Sequence, residues 1–145
     1  MSGKLRFLMA DDDIISRVVM QKALAPHGSC DTASNGREAV EAFRLSLKGN
    51  KPYDVVLLDI MMPEMDGNDA LVAIRELESS VGGSFNSRAK IVMVTSKDEF
   101  KSVLNSFNHG CDSYLMKPVT KERVDQLLAD LFSTAKNPQK GTPSE

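Results

Sequence analysis

The sequence has no excess of charge of either sign. Its 145 residues carry 18 Lys and Arg against 20 Asp and Glu, for a net charge of −2. A chain whose main work was to neutralise a nucleic-acid backbone would be clearly basic, so direct nucleic-acid binding is not expected. Long apolar runs are missing as well. No stretch approaches the ~20 residues that cross a bilayer. The start MSGKLRF lacks the apolar core of a secretory signal. Cysteine is scarce: Cys30 and Cys111 lie far apart and form no CxxC or Cys/His cluster. They read as free thiols filling core in a reducing cytoplasm. Nor is there an internal repeat or a second domain, and the length suits one domain with a real core.

What the chain does have is alternation. Apolar strand patterns cover Lys4–Ala10, Ser29–Ala33, Tyr53–Leu58, Lys90–Thr95 and Asp112–Met116. Helical patterns lie between them. The spacing predicts a helix over Ile14–Ala25 with Ile15, Val18, Val19 and Lys22 along one side, ended by His27-Gly28. Arg37–Leu47 repeats Ala39, Val40, Phe43 and Leu47, after the turn signal Asn35-Gly36. Asp66-Gly67 opens a helix carrying Leu71, Ile74 and Leu77, and the Ser- and Gly-rich segment Glu78–Arg88 reads as a loop. Asp98–His109 spaces Phe100, Val103, Leu104 and Phe107 as one face, with Gly110 as a left-handed cap. Thr120 caps a last helix whose buried face is Val124, Leu127, Leu128 and Leu131. The tail from Lys136 to Glu145 is polar, holds two prolines and reads as disordered, leaving one domain over residues 1–135.

Five βα units imply an α/β fold: a five-stranded parallel sheet with helices on both faces. The nearly continuous apolar strands agree, since parallel strands are buried on both sides. In such sheets ligands bind beyond the carboxyl ends of the strands. Those ends carry Asp11, Asp12 and Asp13, then Asp59, then Thr95 and Ser96, then Lys117. In the flavodoxin-like order 2-1-3-4-5 they converge on one crevice. Carboxylates crowded there raise each other's pKa, and Mg²⁺, a hard cation that prefers oxygen ligands, removes the conflict. Asp59 beside such a metal can act as a nucleophile and form an acyl phosphate. Lys117 would neutralise one phosphoryl oxygen and Thr95 would donate to another. Any one of these motifs is ordinary alone; their joint placement at strand ends is not.

The stretches FLMADDD, DVVLLDIMMPEMDG, IVMVTS and CDSYLMKP resemble the receiver domain of two-component response regulators, the CheY-like family, over roughly Lys4–Phe132. The resemblance implies Asp59 as phosphoacceptor, Asp12 as direct metal ligand and Asp11 as a ligand through water. It implies the backbone carbonyl of Met61 as a further ligand, and Mg²⁺ as the ion, with Mn²⁺ able to substitute. Thr95 and Tyr114 match the family's switch pair, and Lys117 its conserved-type lysine. A cis peptide is implied before Pro118. Asp13 has no role in the pattern and is free to cap the first helix. Met61 and Lys97 stand two residues past Asp59 and Thr95, where side chains frame the approach of hydrolytic water, so they are expected to set the lifetime of the phosphoryl group. The implied donor is a sensor histidine kinase or phosphotransfer protein. No output domain follows in the sequence given, so readout is expected through a partner protein at the face of the fourth helix, fifth strand and fifth helix, unless the chain is a piece of a larger regulator. The implied role is a signalling switch in the cytoplasm that catalyses only its own phosphorylation and dephosphorylation, and no membrane contact is expected.

Two rivals share parts of the pattern. Asp11-x-Asp13 after the first strand fits a haloacid-dehalogenase-type phosphatase with an Asp nucleophile. The chain is short for that, has no cap insertion and no acidic pair after strand four, and would leave Asp59 and Tyr114 unexplained. A pseudo-receiver, a pure interaction module that is never phosphorylated, would not need the whole constellation.

Overall fold

The computed structural model describes residues 4–81 and 88–133. Five strands, β1 (Leu5–Ala10), β2 (Gly28–Ala33), β3 (Val55–Asp59), β4 (Lys90–Thr95) and β5 (Ser113–Met116), form one parallel sheet in the order β2-β1-β3-β4-β5. Five helices connect and follow them: α1 (Ile14–Leu24), α2 (Gly36–Lys48), α3 (Gly67–Ser80), α4 (Lys101–Asn108) and α5 (Lys121–Ser133). Short 3-10 turns lie at Ala25–His27 and Lys97–Glu99.

Strand residues alternate between two cores, as successive side chains on a strand must. Phe7, Met9, Val55, Leu57, Val92, Val94 and Leu115 pack with Met20 and Leu24 of α1 and Val124, Leu127 and Leu128 of α5. Leu8, Val56, Leu58, Ile91 and Met93 face the other way, onto Phe43 of α2, Leu71 and Ile74 of α3 and Val103 of α4. Each such large side chain contributes about 1.5–3 kcal/mol on leaving water.

The helix starts follow their polar caps. Asp13, Asn35 and Asp66 accept from the backbone N–H of Ser16, Glu38 and Asp69, each at 2.9 Å, and Thr120 accepts from Arg123 N. Gly110 has φ +100°, the left-handed geometry expected after α4. The Lys117–Pro118 peptide is cis.

Three expectations are corrected. The expected face of α1 is wrong: Ile15, Val18 and Val19 are 68%, 45% and 42% exposed, and Met20, Ala23 and Leu24 are the buried residues. Asp13, Arg17, Met20 and Leu24 share one helix face. The Asp13 N–H donates to Asp11 Oδ1 and Arg17 Nη1 donates to Asp11 O at 2.6 Å, which turns that face inward. Likewise only Val103 of the expected α4 face is buried, with Ser106 beside it, while Phe100, Leu104 and Phe107 are exposed. Finally, Glu78–Ser80 belong to α3 rather than to a loop. Arg75 pairs with the Glu78 carboxylate, which also accepts from Ala89 N at 2.7 Å, so the last turn of α3 is tied down. The expected tail lies outside the described residues, as do residues 82–87 of the expected loop.

Candidate functional site

The parallel register brings four strand ends to one crevice. Asp11 follows β1, Asp59 ends β3, Thr95 ends β4 and Lys117 follows β5. Backbone bonds fix the spacing between them: Asp11 N donates to Ala33 O, Ile60 N to Val94 O, and Lys117 N to Thr95 O. Gly67 lets α3 begin close by. Its N–H donates to Ile60 O at 2.9 Å, and a Cβ there would lie 2.4 Å from Asp59 O.

Asp11 and Asp59 are buried, at 3% and 4% exposure, while Asp12 is exposed. Lys117 Nζ lies between the two buried carboxylates, 3.4 Å from Asp11 Oδ2 and 3.3 Å from Asp59 Oδ2. Burial first, then the negative charge of Asp11, pushes the Asp59 carboxyl up to about 7. The Lys117 ammonium and the Met61 N–H, 3.4 Å from Asp59 Oδ1, pull it back only in part. Burial disfavours the charge on Lys117 itself, but Asp59 and Asp11 outweigh it and hold the ammonium above the usual lysine range. One cation thus offsets two carboxylates incompletely, and the site retains an appetite for positive charge.

Carboxylate oxygens of Asp11, Asp12 and Asp59 all lie within 4.8 Å of one another. Three oxygen donors around a point open to solvent fit a hard divalent cation. The neighbouring residues stand differently. The Thr95 hydroxyl is fully buried and donates to Ser96 O at 2.9 Å, so it is not aimed into the crevice. Tyr114 is half-exposed on the outer face, edge-on to Phe100 with ring centroids 5.3 Å apart. Met61 and Lys97 both have exposed side chains.

Some residues around the site were not singled out from sequence. Arg17 fastens the Asp11 backbone, and its position one turn past Asp13 was the available signal. Glu99 accepts from Ser96 N at 3.3 Å and completes a capping box at the turn after β4; Ser96-x-x-Glu99 is legible as that motif. Beside the crevice, a cavity of about 270 Å³ is lined by Asp11, Ile15, Val19, Lys117, Pro118 and Val119. It continues the exposed apolar face of α1 to the edge of the acidic cluster.

Comparison with known proteins finds similarity over most of the chain. The response regulator receiver domain family matches residues 7–129. The two-component response regulator ORR41 of Oryza sativa subsp. japonica is 33% identical over 129 residues, covering 86% of this chain and 92% of that protein. The hybrid signal transduction histidine kinase B of Dictyostelium discoideum is 35% identical over 130 residues, covering 85% of this chain but 6% of the kinase. Among solved structures, the CheX–CheY–BeF3–Mg²⁺ complex from Borrelia burgdorferi is similar with a TM-score of 0.73 and 26% identity, covering 88% of this chain and 89% of that one.

Proposed function

The chain belongs to the response regulator receiver domain family of two-component systems, and from that premise we propose that it is a phosphorylation-dependent switch with Asp59 as its phosphoacceptor. The observation that supports this most is the Lys117 ammonium set between the buried carboxylates of Asp11 and Asp59. In the proposed step an Asp59 carboxylate oxygen attacks phosphorus and the O–P bond forms. The P–N bond to a donor imidazole breaks, and that nitrogen keeps the electron pair and takes up a proton. Catalysis is then mostly positioning and charge stabilisation. Lys117 follows one phosphoryl oxygen as a point charge. The Thr95 hydroxyl turns from the Ser96 carbonyl to donate to another.

Asp11, Asp12 and Asp59, with the Met61 carbonyl as the further ligand that the family resemblance implies, would hold Mg²⁺, or Mn²⁺ in its place. The Borrelia burgdorferi relative was solved with Mg²⁺. When bound, the ion supplies positive charge to the phosphoryl group and relieves the repulsion among the carboxylates. Asp59 must be ionised to attack, so a residue that ionises near 7 without the ion gains reactivity from any added positive charge.

When Thr95 turns inward, Tyr114 can leave Phe100 and follow it. The face of α4, β5 and α5 then presents a different surface to an output partner, a two-state element biased by a local contact. The donor is a sensor histidine kinase or a phosphotransfer protein. The exposed Ile14, Ile15, Val18 and Val19 of α1, beside the crevice, suit a donor with an apolar helical face. The switch unit runs over residues 1–135, works in the cytoplasm without binding nucleic acid, and turns over no substrate beyond its own phosphorylation and dephosphorylation. Among the described residues no helix is long and apolar enough to cross a membrane.

The test is labelling by acetyl phosphate. Phosphoryl incorporation that needs Mg²⁺ and is lost in Asp59→Asn supports the proposal. Undiminished labelling after full chelation, or in Asp59→Asn, refutes it.

A further inference from the structure

The helix least anchored by apolar burial is α4. Of its eight residues only Val103 and Ser106 are buried, whereas α3 buries Gly67, Ala70, Leu71 and Ile74. One of the two anchors is therefore polar. Ser106 is fully buried, and its hydroxyl meets the side-chain amide of Asn68 and, at 3.0 Å, the carbonyl oxygen of Ser102. The Ser102 contact lies within α4 and would travel with the helix. The Asn68 contact joins α4 to the first turn of α3, and it is directional. Turning α4 by one residue, about 100°, or sliding it by a turn breaks the bond: the hydroxyl keeps only the Ser102 carbonyl, and the part-buried Asn68 side-chain oxygen loses its donor. An apolar contact at the same place would tolerate the slide.

Asn68 is also mechanically close to the phosphoacceptor. It follows Gly67, where α3 is pressed against the backbone of Asp59 and Ile60. The other contact that fastens the signalling face, Phe100 edge-on to Tyr114, is half-exposed.

We propose that Asn68 and Ser106 form a latch that keys α4 to α3 in the resting state and thereby sets how often α4 leaves that register. The latch rests on the receiver reading for its consequence, since it makes these two residues positioning residues for the signalling face. They take no part in the phosphoryl chemistry. A protein with the latch open more often spends more time in the conformer that phosphorylation selects, so it should also be phosphorylated faster by a small donor.

The experiment is hydrogen–deuterium exchange by mass spectrometry on the full chain, comparing the unmodified protein with Asn68→Ala, Ser106→Ala and the double variant. Asn68 is only partly buried, so Asn68→Ala tests the latch even if Ser106→Ala folds poorly. In each single variant, exchange over 101–108 is expected to rise roughly fivefold, the worth of about one net hydrogen bond. The strands β1 and β3 stay unchanged, and the double variant exchanges no faster than the faster single one, because both lose the same bond. Labelling of Asp59 by acetyl phosphate, followed on the same samples, should run severalfold faster in the variants. Unchanged exchange over 101–108, equal acceleration in the strands, an additive double variant, or an unaltered labelling rate would each overturn the latch. If the unmodified protein takes no label at all, the receiver reading fails, and the exchange data still decide whether the latch exists.

Discussion

Replacing Asp59 by Asn should stabilise the metal-free protein, and by an amount that grows with pH. Asp59 is 4% exposed and lies beside the equally buried Asp11, and it ionises at about 7 rather than the ordinary 3.8. Below about pH 4 the carboxyl is protonated whether the chain is folded or not, and folding carries no penalty from it. Between there and 7 the unfolded chain releases the proton while the folded one keeps it, so stability falls with rising pH. Above 7 the loss is complete. At 1.36 kcal/mol per pH unit, the full loss is about 4 kcal/mol, of which roughly 3 falls above pH 5. That is a large part of the ~5–15 kcal/mol by which a domain is stable. Asn is nearly isosteric and cannot ionise, and Lys117 retains Asp11 as a partner. Urea unfolding in EDTA, run on both proteins from about pH 5 to 8, reads the contribution of Asp59 and the groups coupled to it, because titrating groups far from the crevice cancel in the difference. The stability advantage of Asp59→Asn should widen by about 2–3 kcal/mol over that range. Saturating Mg²⁺ should shrink it, since a ligand held by the native carboxylates adds RT ln(1 + [L]/Kd) to the unmodified protein. A difference that does not change with pH, or an Asn variant that loses ground as pH rises, would refute the crowded-carboxylate reasoning.

Four further outcomes follow from the same structure. Thr95→Ala should still accept a phosphoryl group on Asp59 yet lose the gain in partner affinity on phosphorylation, measured by titration calorimetry with and without label. Val18→Glu places a charge on the exposed apolar face of α1 and should slow transfer from a phosphohistidine protein at least tenfold, as a loss of about 1.4 kcal/mol would, with acetyl phosphate labelling unchanged. Self-dephosphorylation should be slow, because the Met61 sulfur orients water poorly and Lys97 can screen the phosphoryl group; Met61→Asn should speed decay about fivefold, for roughly 1 kcal/mol of water positioning. Burial, then the charge of Asp31, pushes the Cys30 thiol up to about 12, so native Cys30 should resist iodoacetamide at pH 8 and react once the chain is unfolded in urea.

The strands were legible because burial on both faces leaves an unbroken apolar run, as in VVLLD of β3. The α1 helix was misread because it carries two apolar stripes one residue apart. Periodicity cannot choose between Ile15, Val18, Val19 and Met20, Ala23, Leu24, and the bonds from Asp13 and Arg17 to Asp11 decide it. The α4 helix was misread for another reason: Phe100, Leu104 and Phe107 mark a surface that stays in water, while beside the buried Val103 the second residue it buries is a serine, Ser106. Apolar patterning equates greasy with buried, and a helix face left in water breaks that equation. The convergence of Asp11, Asp12, Asp59 and Lys117 was readable because parallel topology fixes where strand ends meet. The resting bond of the Thr95 hydroxyl to Ser96, and the pairing of Tyr114 with Phe100, depend on rotamers that no spacing encodes.

The central claim is that Asp59 carries the phosphoryl group, and chemical mapping tests it most directly. The protein is labelled with acetyl phosphate and Mg²⁺, then treated with borohydride, which reduces an aspartyl phosphate to homoserine, and the peptides are sequenced by mass spectrometry. Homoserine is expected at position 59, and is absent when Mg²⁺ is chelated. Homoserine at position 11 instead, or an unmodified Asp59 in protein that has taken up label, would contradict it.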